Sequence, residues 1–108
     1  MTQTLLTVRY RLTGDITGFR TRMDAVATAM MPMDGLSWKI WGLDPEKGIG
    51  LSAYLFADAA SARAFTEGPV IAGLRRSPGV AEVEFTLAPV DRALSLITGA
   101  EAALSPLA

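Results

Sequence analysis

The residues able to do chemistry in this chain are few, and the absences narrow the options first. There is no Cys and no His among the 108 residues. A disulfide framework, a thiolate nucleophile, an imidazole base and a transition-metal ligand set are therefore all excluded. Of the eleven acidic and ten basic residues that remain, the carboxylate of Glu84 and the cations Lys39 and Arg9 are singled out by the strands that carry them. Trp41 and Tyr54 could hold a planar molecule by stacking, with Phe56 keeping water away. The acidic residues Asp24, Asp34, Asp44, Asp58 and Asp91 are dispersed, so no metal is expected. Gly48-Ile49-Gly50 is isolated and reads as turn chemistry, not as a phosphate-binding loop.

These residues acquire a common location only through the elements that carry them. Leu6, Val8, Tyr10 and Leu12 alternate with Thr7, Arg9 and Arg11, which predicts a strand from Thr4 to Leu12. Ile16, Phe19, Met23, Val26 and Met30 then recur every three or four residues, predicting an amphipathic helix over Asp15 to Met31 with Asp15 as N-cap. Pro32 and Gly35 supply its exit. A second strand follows over Leu36 to Leu43, then a polar turn from Asp44 to Gly48 and a third strand over Gly50 to Ala57. Asp58 opens a second helix that Gly68-Pro69 should break before it resumes over Val70 to Arg76. Val80 to Val90 is the fourth strand, and Arg92 to Thr98 a helical turn.

Strand, helix, strand, strand, helix, strand is the order of an α+β, ferredoxin-like split βαβ fold, with a four-stranded antiparallel sheet and two main helices on one face. The first strand should lie between the third and fourth, antiparallel to the fourth. Pairing Arg9 with Glu84 then places Thr7 opposite Thr86, Val8 opposite Phe85 and Arg11 opposite Glu82. Charges of opposite sign meet on one side and apolar residues on the other, each pair worth roughly 0.2–1 kcal/mol. The register that makes Glu84 a candidate base thus also makes it a structural partner of Arg9.

The apolar face expected under the helices comprises Leu6, Val8, Tyr10, Trp38, Ile40, Leu55, Phe85 and Leu87. The other face would carry Arg9, Arg11, Ser37, Lys39, Trp41, Ser52, Tyr54, Phe56, Glu82 and Glu84. That mixture is too aromatic for a solvent face, and packing against a second copy would bury it, so a homodimer is expected. With net charge −1 and half its residues apolar, the chain gives no basis for nucleic-acid or anionic-membrane attraction. No apolar run is long enough to span a bilayer and no signal segment opens the chain. One cytoplasmic domain over residues 1–108 is the expectation.

Gly35-Leu36-Ser37-Trp38-Lys39-Ile40-Trp41, Tyr54-Leu55-Phe56 leading into Asp58 and an Ala-rich helix, and the closing Val90-Asp91 with Leu94-Ser95 and Ile97 resemble the YdhR-like family of mono-oxygenases, similar in turn to the dimeric α+β barrel proteins. The resemblance implies two protomers packed sheet to sheet and a small-molecule pocket between sheet and helices. It also implies oxygenation of a small aromatic, phenolic or quinol-like compound without metal, flavin or other cofactor. In that chemistry the substrate anion reduces dioxygen, so Glu84 is the implied base and Lys39 or Arg9 the stabiliser of an enolate or superoxide. A non-catalytic binding or interaction protein with the same cavity is the competing class.

Overall fold

Three of the helices start by the same device, an aspartate carboxylate that accepts an otherwise unpaired N–H of the first turn. Asp15 accepts from Gly18 N at 3.1 Å, Asp58 from Ser61 N at 2.8 Å and Asp91 from Leu94 N at 3.0 Å. The computed structural model describes residues 2–31 and 33–104. It runs β1 (Thr4–Leu12), α1 (Ile16–Met30), β2 (Leu36–Asp44), β3 (Ile49–Phe56), α2 (Ala59–Thr66), α3 (Pro69–Arg76), β4 (Val80–Pro89), α4 (Arg92–Ile97) and α5 (Glu101–Leu104). The break between α2 and α3 falls at Gly68-Pro69 as predicted, because Pro69 cannot donate an N–H to continue α2 but fits the first turn of α3. Pro32 lies outside the described residues. The short helix α5 has no counterpart in the sequence reading.

The sheet is antiparallel throughout, in the order β2-β3-β1-β4. Arg9 stands opposite Glu84, Val8 opposite Phe85 and Thr7 opposite Thr86, as the charge pattern required. Beyond Arg9 the register shifts, and Arg11 faces Ala81 instead of Glu82. A bulge at Glu82, whose φ is +55°, causes the slip. The side chains still meet, Arg11 Nε lying 2.5 Å from Glu82 Oε2. In the β2–β3 hairpin Asp44 Oδ1 accepts from Glu46 N and Lys47 N, both at 3.1 Å, and Gly48 turns at φ +65°.

The face assignment inferred from alternation is overturned on two strands. Leu6 lies opposite Tyr54, and Tyr54 opposite Lys39, so Tyr54, Phe56, Lys39 and Trp41 share the helix-facing side with Leu6, Val8 and Tyr10. Trp38, Ile40 and Leu55 point the other way. The cause is a second bulge, between Leu36 and Trp38, which switches the parity of β2: Leu36 is buried in the core, yet Trp38 is on the opposite face. On β3 one alternating set is Ile49, Leu51, Ala53 and Leu55 while the set that faces the helices begins with Gly50 and Ser52, so periodicity favoured the wrong one.

The core that results is aromatic. Phe65 of α2 packs at 5.0 Å from Tyr54 and 5.6 Å from Phe56, while Phe19 of α1 packs at 5.6 Å from Tyr10. Such pairs add about 0.5–1.5 kcal/mol each beyond the burial of their area. On the outer face the indole of Trp38 donates to Ala103 O at 2.8 Å and the amide of Gln3 to Leu104 O at 2.9 Å. Helix α5 is thereby held against one end of the sheet. The other end keeps Ile40 and Leu51 in the open, 61% and 52% exposed.

Candidate functional site

Reversal of the two strands moves Lys39 from a presumed outer surface into the space between sheet and helices. There its ammonium nitrogen lies 3.3 Å from the centroid of Trp41, two residues along β2, and 4.6 Å from that of Tyr54 on β3. Alternation places Lys39 and Trp41 on one face, and antiparallel pairing sets Tyr54 beside Lys39. Among the described residues the ion pairs are Arg11–Glu82 and Arg20–Asp24, so no carboxylate meets Lys39. Removal from water disfavours the charged form, and burial lowers the Lys39 pKa to about 7. Near neutral pH the amine and the ammonium are then present together.

A cavity of about 330 Å³ opens beside this amine, walled by Tyr10, Trp41 and Tyr54 from the sheet and by Met23, Val26, Ile71 and Leu74 from α1 and α3. That volume lies at the lower end of the range for small-molecule sites, roughly 300–1,000 Å³. Arg22 also lines it and is exposed, which makes a second cation available at its edge. Burial pushes the phenol of Tyr54 up, helped by Tyr10, and raises that of Tyr10 as well. Both phenols therefore stay protonated and can donate a hydrogen bond. A second cavity, about 350 Å³, lies on the far side of Tyr10, Met23 and Trp41, toward Phe19, Asp24 and Leu43.

Tyr10 can form the wall between the two spaces because its partner on β3 is Gly50. A Cβ on Gly50 would stand 2.2 Å from the Tyr10 ring, so the ring occupies the place a side chain would take. Next along this face, Ser52 is buried and its Oγ has no hydrogen-bond partner among the described residues. Phe56 is fully buried behind Tyr54, the rings 6.1 Å apart and nearly parallel at 16°. It braces Tyr54 and is not among the residues lining the cavity.

The six residues singled out in the sequence thus fall into two groups. Lys39, Trp41 and Tyr54 converge on one cavity, with Phe56 behind them. Arg9 and Glu84 are on the opposite face, both exposed, in a crevice of about 220 Å³ with Arg11, Lys47 and Glu82. Tyr10, Arg22 and Met23 escaped the sequence reading as site residues. For Tyr10 a signal existed, an aromatic opposite a strand glycine, but it is visible only once the β1–β3 register is known. No group of three or more Asp, Glu, His or Cys that could hold a metal occurs among the described residues, and none of their helices is long and apolar enough to cross a membrane.

Comparison with known proteins bears on the same architecture. A family model described as "Putative mono-oxygenase ydhR" matches residues 5–101. No curated protein sequence gives a significant match. Among solved structures, SnoaB from Streptomyces nogalater, described as a cofactor-independent oxygenase, superposes with a TM-score of 0.66 at 13% identity, covering 83% of this chain and 94% of its own. Rv0793 from Mycobacterium tuberculosis gives 0.64 at 18% identity, over 82% and 96% of the two chains. A "putative antibiotic biosynthesis monooxygenase" from Deinococcus radiodurans gives 0.62 at 14%, over 80% and 91%. At such identities the likeness is one of fold.

Proposed function

The chain belongs to the ydhR mono-oxygenase family, and from that membership we propose that it oxygenates a small phenolic or quinol-like compound, without a cofactor, in the cavity beside Lys39. The observation that carries the reading is the amine of Lys39, which meets no carboxylate among the described residues, set on the rings of Trp41 and Tyr54 and beside a cavity that fits one substituted ring. Glu84 and Arg9, on the far face, have no part in it. The base role passes to Lys39.

A neutral substrate enters, and the free amine of Lys39 removes its acidic proton. The ammonium so formed lies against two ring faces, a contact worth up to about 2 kcal/mol when desolvated, and ion-pairs with the substrate anion. That anion transfers an electron to dioxygen, and the two radicals join at a ring carbon that bears two hydrogens in its keto tautomer. Lys39 returns the proton to the peroxide. Loss of water then leaves a carbonyl, with one oxygen atom in the product and the other in water. The protonated phenols of Tyr10 and Tyr54 are placed to donate hydrogen bonds, while Trp41 offers a stacking surface.

The reading includes a homodimer formed through the open end of the outer sheet face, where Ile40 and Leu51 are exposed. Oxygen uptake with a panel of quinols and naphthols tests the reaction. Lys39→Met should lower the rate by about 10²–10⁴, the usual share of a general base, whereas Glu84→Gln should leave it within twofold. Equal rates for Lys39→Met and wild type would reject the assignment. Binding of these compounds without oxygen consumption would instead favour a non-catalytic binding protein.

A further inference from the structure

An amine that is partly unprotonated at neutral pH is a nucleophile as well as a base, and the surroundings of Lys39 define what it could capture. An ordinary lysine side chain is almost wholly protonated at pH 7 and therefore inert toward carbonyl carbon. Lys39 differs because no acid among the described residues partners it and because it lies on two ring faces at the edge of a cavity. The titratable or charged groups facing that cavity are Tyr10 from β1, Tyr54 from β3 and Arg22 from α1. From α3 the lining is Pro69, Val70, Ile71, Gly73 and Leu74, closed by Ser77 at its C-cap, none of which carries a charge.

We propose that Lys39 is a covalent capture site for aromatic aldehydes and ketones that carry an anionic substituent. The walls select the ring, since Trp41, Tyr54 and Tyr10 offer aromatic faces and Met23, Val26 and Leu74 aliphatic ones. Arg22 selects the anion. In the reaction the amine nitrogen bonds to the carbonyl carbon as the C=O π pair moves to oxygen and a proton passes from nitrogen to that oxygen. The resulting carbinolamine loses water, forming C=N. Nothing is oxidised or reduced, and one molecule of water leaves for each imine formed. The rings of Trp41 and Tyr54 shield the imine from part of the solvent and so slow its hydrolysis. The phenols of Tyr10 and Tyr54, held protonated, are available to donate to the oxygen as it departs.

The chain provides its own control, because its other lysine, Lys47, lies exposed in the β2–β3 turn. Folded protein is incubated at pH 7 with 4-formylbenzoate and sodium cyanoborohydride, which adds hydride to an imine and fixes it as a secondary amine. Peptide mapping by mass spectrometry then reads each amine separately. The expected result is modification of Lys39 at least tenfold faster than Lys47, with a rate that climbs through a midpoint near pH 7. Benzaldehyde, lacking the carboxylate, should react at least threefold more slowly at Lys39, and Arg22→Gln should abolish that difference between the two probes. In urea the preference for Lys39 should vanish. Equal or faster modification of Lys47 in the folded protein overturns the proposal, as does an adduct confined to the α-amino group. The readout is mass and requires no oxygen, so a failed oxygenase assay and a failed capture assay are separate results.

Discussion

Replacing Lys39 by Met isolates the energetic cost of placing an amine among rings. The two side chains have similar length and shape, so packing is retained and the ionisable group is removed. Burial takes the Lys39 pKa from the ordinary 10.5 to about 7, a difference worth about 5 kcal/mol at roughly 1.4 kcal/mol per tenfold change. The head group keeps part of its solvent, and discounting for that screening leaves about 2–3 kcal/mol carried by the fold. The sign follows from proton counts. Between pH 7 and 10.5 the unfolded chain holds a proton at this site that the folded one has released, so wild-type stability rises with pH in that window. Below pH 7 the wild type bears the whole cost of a buried ammonium. Lys39→Met should therefore be more stable than wild type by about 2–3 kcal/mol at pH 6, with the gap at least halved by pH 9. Urea unfolding followed by tryptophan fluorescence at pH 6, 7.5 and 9 measures it, the midpoint moving by about 1–2 M at pH 6 for a slope in the usual range. A gap that is constant with pH, or that widens from pH 6 to 9, would refute the argument that desolvation governs this amine.

Three further predictions concern the frame around it. Gly50→Ala should cost about 1–3 kcal/mol, because the new methyl would enter the Tyr10 ring position; an unchanged melting temperature would show that the ring is free to move. Ser52→Ala should be neutral or stabilising, since it removes a buried hydroxyl without a partner; a loss above about 1 kcal/mol in urea titration would mean that Oγ is satisfied, for example by a bound water. The wild type should sediment as a dimer and the double variant Ile40→Asp, Leu51→Asp as a folded monomer, these being exposed apolar residues on the open end of the outer face. A monomeric wild type would remove the proposed interface.

Much of the fold was legible along the chain. Strand β1 and its alternation, the Asp15 and Asp58 caps, the Gly68-Pro69 break and the Arg9–Glu84 register all follow from local chemistry or from pairwise matching of two strands. The candidate site was legible in membership more than in place. Lys39, Trp41 and Tyr54 were separable as a group by their spacing, but they were set on the wrong face. Glu84 and Arg9 joined them only because β1 and β4 were assumed to share a parity with β2 and β3 that the structure does not have. The tail α5 was missed because a one-turn helix of Glu-Ala-Ala-Leu has little periodicity to read, and its position depends on the indole of Trp38.

By itself, the sequence determined that this chain builds a four-stranded split βαβ sheet, that its chemistry cannot run through thiol or imidazole, and that Lys39 keeps company with Trp41. Tertiary structure alone decided which way that company faces. Alternation states that neighbouring side chains point to opposite sides of a strand, but the side that meets the helices is set by pairing across strands distant in sequence and by the bulge at Leu36 to Trp38. One extra residue exchanged the two faces of β2. Lys39 was thereby carried from a presumed dimer surface into the aromatic cavity.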